Sequence, residues 1–233
     1  MHKIRPHKLF TLVRSKSYVD RMVKVVLPDK ETPVFFDTAI LLALAKVVRP
    51  QTVFEFGTYI GVGTLNLAVN LPEARIYTLD LDETAVAAPV EGGRVSGLRD
   101  RFGTQENEVL THLAFRDRLA FLNTPYEKRI TRLFGDSNTY DFSALAHQID
   151  VVYIDGGHDP VTLDSDTRNA FNIISENRPG CIAWHDCGNP RYPHIMDYLV
   201  RVSETRDLFY VEESWTVFYL NNCCGDLIDQ LKP

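Results

Sequence analysis

The chain is poor in cysteine, with four among 233 residues, and two of them, Cys223 and Cys224, are neighbours. With Cys181 and Cys187 they match neither the spacing of a zinc site nor a disulfide framework, so free thiols are expected, Cys181 in a core strand. Long apolar runs are missing as well. None approaches the roughly 18 residues of a membrane span, and the opening Met1-His2-Lys3-Ile4-Arg5-Pro6 lacks the apolar stretch of a secretory signal, so a cytoplasmic protein with no membrane partner is expected. Nor is there an excess of positive charge. A formal net charge of −6 and a pI near 5.6 disfavour a nucleic-acid partner and favour a small molecule. What is present, 45% hydrophobic and 24% charged residues, is ordinary for one α/β domain with an ample core.

Glycine is also missing where a dinucleotide fold needs it. Val53-Phe54-Glu55-Phe56 runs into a glycine-rich turn and then into the helical pattern Leu65-Asn66-Leu67-Ala68-Val69, which reads as strand, turn, helix. Such a turn lets a ligand approach bare backbone, and the following helix N-terminus offers unpaired N–H donors. The glycines stand at 57, 61 and 63 rather than in G-x-G-x-x-G spacing, and Tyr59, Ile60 and Val62 would crowd a pyrophosphate. A nucleotide-type ligand without phosphates fits better. The next β-rich run, Arg75-Ile76-Tyr77-Thr78-Leu79, closes on Asp80, whose carboxylate can take both ribose hydroxyls.

On Glu55, Gly57, Gly61 and Asp80 the chain resembles the class I S-adenosylmethionine-dependent methyltransferases, position by position. The resemblance implies that Asp80 holds the donor's ribose and that Glu55 lies near its methionine amino group. Gly57, Thr58, Tyr59, Gly61, Leu81 and Asp155 would complete the donor site. After the third strand, Ile130-Thr131-Arg132-Leu133-Phe134, comes Gly135-Asp136-Ser137; in the resembled family the acid here binds the adenine amino group and its neighbour borders the ring, so Asp136 and Ser137 take those places. The bland alternative for Asp136 is a local turn cap.

Ile149-Asp150-Val151-Val152-Tyr153-Ile154 reads as a central parallel strand ending in Asp155-Gly156-Gly157-His158, and Cys181-Ile182-Ala183-Trp184 as a fifth strand ending in His185-Asp186. Polar groups at carboxyl strand ends face the ligand crevice. Asp-Gly-x-His, then Pro-Gly, a strand and His-Asp resembles a branch of small-molecule O-methyltransferases that includes metal-dependent enzymes acting on antibiotic sugars. His185 departs from that branch, whose metal-dependent members often carry a carboxylate there. His158 with Asp155 is expected to serve catalysis, His158 as general base, and Asp155 with Asp186 to hold a divalent cation such as Mg²⁺. The competing reading has His185 satisfying both carboxylates while His158 caps the helix that begins near Pro160. On that helix Leu163, Thr167, Phe171 and Ile174 form the inner stripe, with Asp164, Asp166 and Arg168 on a solvated face.

Residues 1–34 read as an N-terminal cap segment before a methyltransferase domain over 35–233. That cap either closes over the site or packs on the sheet edge or on the second subunit of a homodimer. Residues 35–48 read as a buried helix with a structural role. Nearly fifty residues separate Asp80 from the third strand, too many for one connection, so a substrate-covering loop is expected there, helical over 106–122. Leu208-Phe209-Tyr210-Val211 and Trp215-Thr216-Val217-Phe218-Tyr219-Leu220 read as an antiparallel hairpin, Trp215 and Tyr219 being packing residues. The expected fold is therefore a doubly wound, Rossmann-like α/β sheet of seven strands closed by a C-terminal antiparallel hairpin. Two rival functions stand beside methyl transfer: an NAD-dependent oxidoreductase on a related sheet, and a protein that binds S-adenosylmethionine without catalysis.

Overall fold

The computed structural model describes residues 1–13, 22–26, 35–81 and 117–232. Its centre is a sheet of eight strands: β1 (His2–Ile4), β2 (Thr52–Phe56), β3 (Arg75–Asp80), β4 (Ile130–Phe134), β5 (Val151–Ile154), β6 (Cys181–Trp184), β7 (Leu208–Val211) and β8 (Val217–Leu220). They lie in the order β1-β7-β8-β6-β5-β2-β3-β4. Only β8 runs antiparallel to its neighbours, β6 and β7. The seven expected strands are all present. The eighth, β1, is the addition: the N-terminal segment pairs in parallel with β7, covering an edge whose backbone groups would otherwise lack partners.

Six α-helices are described: α1 (Pro6–Leu12), α2 (Phe35–Val48), α3 (Val62–Asn70), α4 (Pro160–Ile173), α5 (Pro193–Val202) and α6 (Gly225–Leu231). Side chains alternate along each strand, so one strand feeds two cores. Val53, Val151, Cys181 and Ala183 pack with α1, α2, α3 and α6 on one face. Phe54, Val152, Ile182 and Trp184 pack with α4 and α5 on the other. Burial on both faces is why the central strands read as continuous apolar runs rather than alternating ones.

The topology fixes where a ligand can sit. Chain order reverses at β2, which has β3 on one side and β5 on the other, and the crevice of an open α/β sheet lies outside the carboxyl ends at such a switch point. Backbone bonds tie the strand ends together there, with Gly57 N–H donating to Leu79 O of β3 at 2.9 Å and Asp155 N–H to Phe56 O of β2 at 3.1 Å.

Two expectations meet a different structure, and a third difference is an element that was not expected at all. Residues 117–122 form turns rather than the end of a helix, with Leu119 and Phe121 buried against Leu65 of α3; residues 82–116, the rest of the expected covering loop, lie outside the described residues. Asp166 is buried on the inner side of α4, not on its solvated face, while Asp164 and Arg168 do form an exposed pair at 2.9 Å. Third, α5 has no counterpart in the sequence reading, because only Ile195 and Leu199 of its ten residues are buried. Part of the N-terminal segment is held by α3: Asn70 Oδ1 accepts from Lys24 N–H at 2.8 Å and Asn66 Oδ1 from Val26 N–H at 2.7 Å. All four cysteines are free thiols, and Cys181 is buried in β6. Among the described residues, no helix is long and apolar enough to cross a membrane.

Candidate active site

A cavity of about 700 Å³ opens at the switch point, lined by the turns after β2, β3, β4, β5 and β6. Glu55, Gly57, Thr58, Tyr59, Asp80, Leu81, Asp136, Ser137, Asp155, His158 and Asp186 all face it. Gly61 does not. It sits at φ +79 behind the turn, where a Cβ would come within 2.9 Å of the Phe121 ring, so its glycine serves packing against the 119–121 segment.

The turn after β2 is shaped by its glycines and by Asp80. Gly57 has φ +89 and lies so near β5 that a Cβ would stand 2.2 Å from the Asp155 carbonyl oxygen. Tyr59 has φ +48, a region non-glycine residues avoid, and its N–H donates to Asp80 Oδ2 at 2.7 Å. Leu81 N–H donates to Asp80 Oδ1 at 2.8 Å. Asp80 thus organises the turn as well as facing the cavity.

Glu55 is buried beneath the turn, with Oε2 accepting from the hydroxyls of Thr64 and Thr78. Burial pushes its carboxyl up to about 8, against those two hydrogen bonds and with help from the charges of Asp155 and Asp80. Across the cavity Asp136 Oδ1 accepts from both the backbone and side-chain N–H groups of Asn138, at 2.9 Å each.

The ends of β5 and β6 carry the titratable groups. His158 Nε2 lies 2.8 Å from Asp186 Oδ2, and its ring stacks on Tyr192 at 4.0 Å between centroids. Asn189 Nδ2 donates to Asp186 Oδ1 at 2.6 Å. His185 Nδ1 stands 3.2 Å from Asp155 Oδ1 and 3.4 Å from Asp186 Oδ2, and its Nε2 is 3.9 Å from buried Asp37 of α2. Burial works to lower the His185 pKa, but Asp155 and Asp186 outweigh it and hold the imidazolium well above the usual histidine range. Burial acts to raise the Asp186 carboxyl, and here the contacts from His158 and His185 prevail and hold it well below the usual carboxylate range. His185 therefore does sit between the two carboxylates, whereas His158 does not cap α4; Asp159 does, accepting from Val161 N–H and Thr162 N–H. Once a cation displaces the His185 proton, Asp155, His185 and Asp186 each offer one ligand atom, all within 4.8 Å of one another, a donor set of two carboxylates and an imidazole that fits a divalent cation.

Several residues in the cavity wall have no counterpart among the expected site residues. Thr38 and Leu41 of α2 line it, so that helix is not structural alone, and Trp215 lines it too rather than only packing. Asn189, Arg191 and Tyr192 come from the turn after β6. Their signal is Gly188-Asn189-Pro190 beyond a strand's carboxyl end, a loop composition at the edge where α/β folds place ligands.

The comparisons with known proteins bear on the family and the fold. A family described as a methyltransferase domain matches residues 54–187, from β2 to the end of the turn carrying Asp186. No curated protein sequence matches significantly. Among solved structures, the S-adenosylhomocysteine-bound methyltransferase PaMTH1 of Podospora anserina is similar at 14% identity and a TM-score of 0.52, over 93% of this chain and 86% of that one. A protein provisionally named caffeoyl-CoA O-methyltransferase from Staphylococcus aureus is 10% identical, with a TM-score of 0.52 over 91% and 90%. CalS11, a TDP-rhamnose 3'-O-methyltransferase of calicheamicin biosynthesis, is 16% identical, with a TM-score of 0.50 over 79% of each chain. At these identities the likeness is one of fold.

Proposed function

The chain belongs to the methyltransferase-domain family, and from that premise we propose that it transfers the methyl group of S-adenosylmethionine to a hydroxyl oxygen of a small molecule. The observation that carries this reading is that one cavity holds both halves of the chemistry, the acid-lined turns after β2, β3 and β4 and the His158–Asp186 pair after β5 and β6. Bound in that cavity, S-adenosylmethionine supplies an electrophilic methyl on a sulfonium. Asp80 binds the donor's ribose, Asp136 and Ser137 its base, and Thr58, Tyr59 and Leu81 wall that half of the cavity. The acceptor lies toward Asp155 and His158. His158 takes the hydroxyl proton as the oxygen attacks, and Asp186 orients the ring and stabilises the charge it gains. Asp155, His185 and Asp186 would hold a divalent cation, which lowers an acceptor hydroxyl's pKa and so the demand on the base. That caffeoyl-CoA and sugar O-methyltransferases share this fold supports an oxygen acceptor.

The experiment is a screen of small hydroxylated acceptors with S-adenosylmethionine, followed by His158→Ala on a substrate found. Turnover should slow by about 10²–10⁴-fold while donor affinity stays unchanged, the usual range for a positioned base. Activity that survives both this substitution and exhaustive chelation contradicts the assigned proton transfer.

A further inference from the structure

Asp166 is a buried acid of the cavity wall for which the turns and dyad above provide no use. It lies on α4, is 1% exposed, lines the cavity, and its Oδ1 is buried without a hydrogen-bond partner. The Ser137 hydroxyl is hydrogen bonded to its carboxyl, which ties it to the turn after β4 that carries Asp136. Gly156 passes close beside it: a Cβ there would stand 3.1 Å from Asp166 Oδ2, so the glycine leaves this carboxyl room at the wall. A buried polar atom without a partner is costly, and one in the wall of a ligand cavity can recover that cost on binding. We propose that Asp166 is a base-recognition residue of the donor pocket, presenting a carboxylic acid O–H to a ring nitrogen of the purine. This rests on the donor reading given above.

The two acids divide the hydrogen-bonding edge between them. Asp136 is an acceptor suited to an exocyclic amino group, whereas purine ring nitrogens are acceptors and need a donor. A carboxyl can donate only while protonated. Burial provides for this, raising Asp166 to about 7 against the Ser137 hydrogen bond; the charged groups that face it, Asp159 at the start of α4 and Asp136 after β4, are both negative and add to the effect. An ionised Asp166 would meet the ring nitrogen's lone pair with another.

The test is titration calorimetry of S-adenosylhomocysteine into the whole protein from pH 6 to pH 8.5. Wild type should lose about tenfold in affinity across that range beyond what Asp166→Asn loses, because an amide keeps an N–H donor at every pH. Asp166→Ala, checked for folding by circular dichroism, should bind about tenfold more weakly than wild type at pH 6. Identical pH profiles for wild type and Asp166→Asn would overturn the proposal even if Asp166→Ala failed to fold. Absence of any binding by wild type would overturn the donor reading itself, a different result from binding that ignores Asp166.

Discussion

Glu55 shows at the scale of one residue how burial and function compete. Its carboxyl is held by two hydroxyls beneath the glycine turn, and the folded chain keeps its proton up to about pH 8, whereas an unfolded carboxyl releases it near 4.5. Between those values the folded state binds more protons than the unfolded one, so this group's contribution to stability falls as the pH rises through that window. Glu55→Gln removes the titration and keeps an acceptor for Thr64 and Thr78. Relative to wild type the variant should therefore gain on the order of a few kcal/mol between pH 5 and pH 8.5, measured by urea denaturation at both values. An equal stability difference at the two pH values contradicts the assignment. Glu55 and Asp80 were legible in the sequence because each stands at or one residue before the end of a strand run beside a turn. Asp166 was not, since periodicity counts any carboxylate as solvent-facing, and only the cavity makes a buried acid on α4 intelligible.

At the scale of elements, the strands were legible because burial on both sheet faces demands unbroken apolar runs such as Val151-Val152-Tyr153-Ile154. Pieces with few buried anchors were not: α5 buries Ile195 and Leu199 alone, and the turns carrying Leu119 and Phe121 have two apolar anchors without a helical period behind them. The element most exposed to a single change is the turn after β2. Gly57→Ala places a methyl 2.2 Å from the Asp155 carbonyl at φ +89, and the backbone strain alone costs about 1–3 kcal/mol. Thermal melting should show a fall of at least about 2–4 °C for each of these kcal/mol, with donor affinity lost as the β2 and β5 turns separate. A variant that melts and binds as wild type does would contradict the packing described for this turn.

Across the whole molecule, the site exists only because the sheet order brings β2, β3, β4, β5 and β6 to one edge. Residues from Thr38 to Trp215 meet in one cavity there, and no local pattern could announce Thr38 or Trp215 as partners of Asp80. The closing strands show the same limit: the hairpin of β7 and β8 is written in its own residues, but the pairing of β1 with β7 joins positions some two hundred apart, His2 with Phe209. The central claim is that this edge binds a nucleoside donor without a pyrophosphate, with Asp80 on the ribose. The most direct test is calorimetric titration of S-adenosylhomocysteine and NAD into wild type and Asp80→Ala. S-adenosylhomocysteine should bind wild type and bind folded Asp80→Ala at least about tenfold more weakly, two charge-assisted hydrogen bonds being lost, while NAD gives no heat. Micromolar NAD affinity, or S-adenosylhomocysteine binding unchanged by Asp80→Ala, would contradict it.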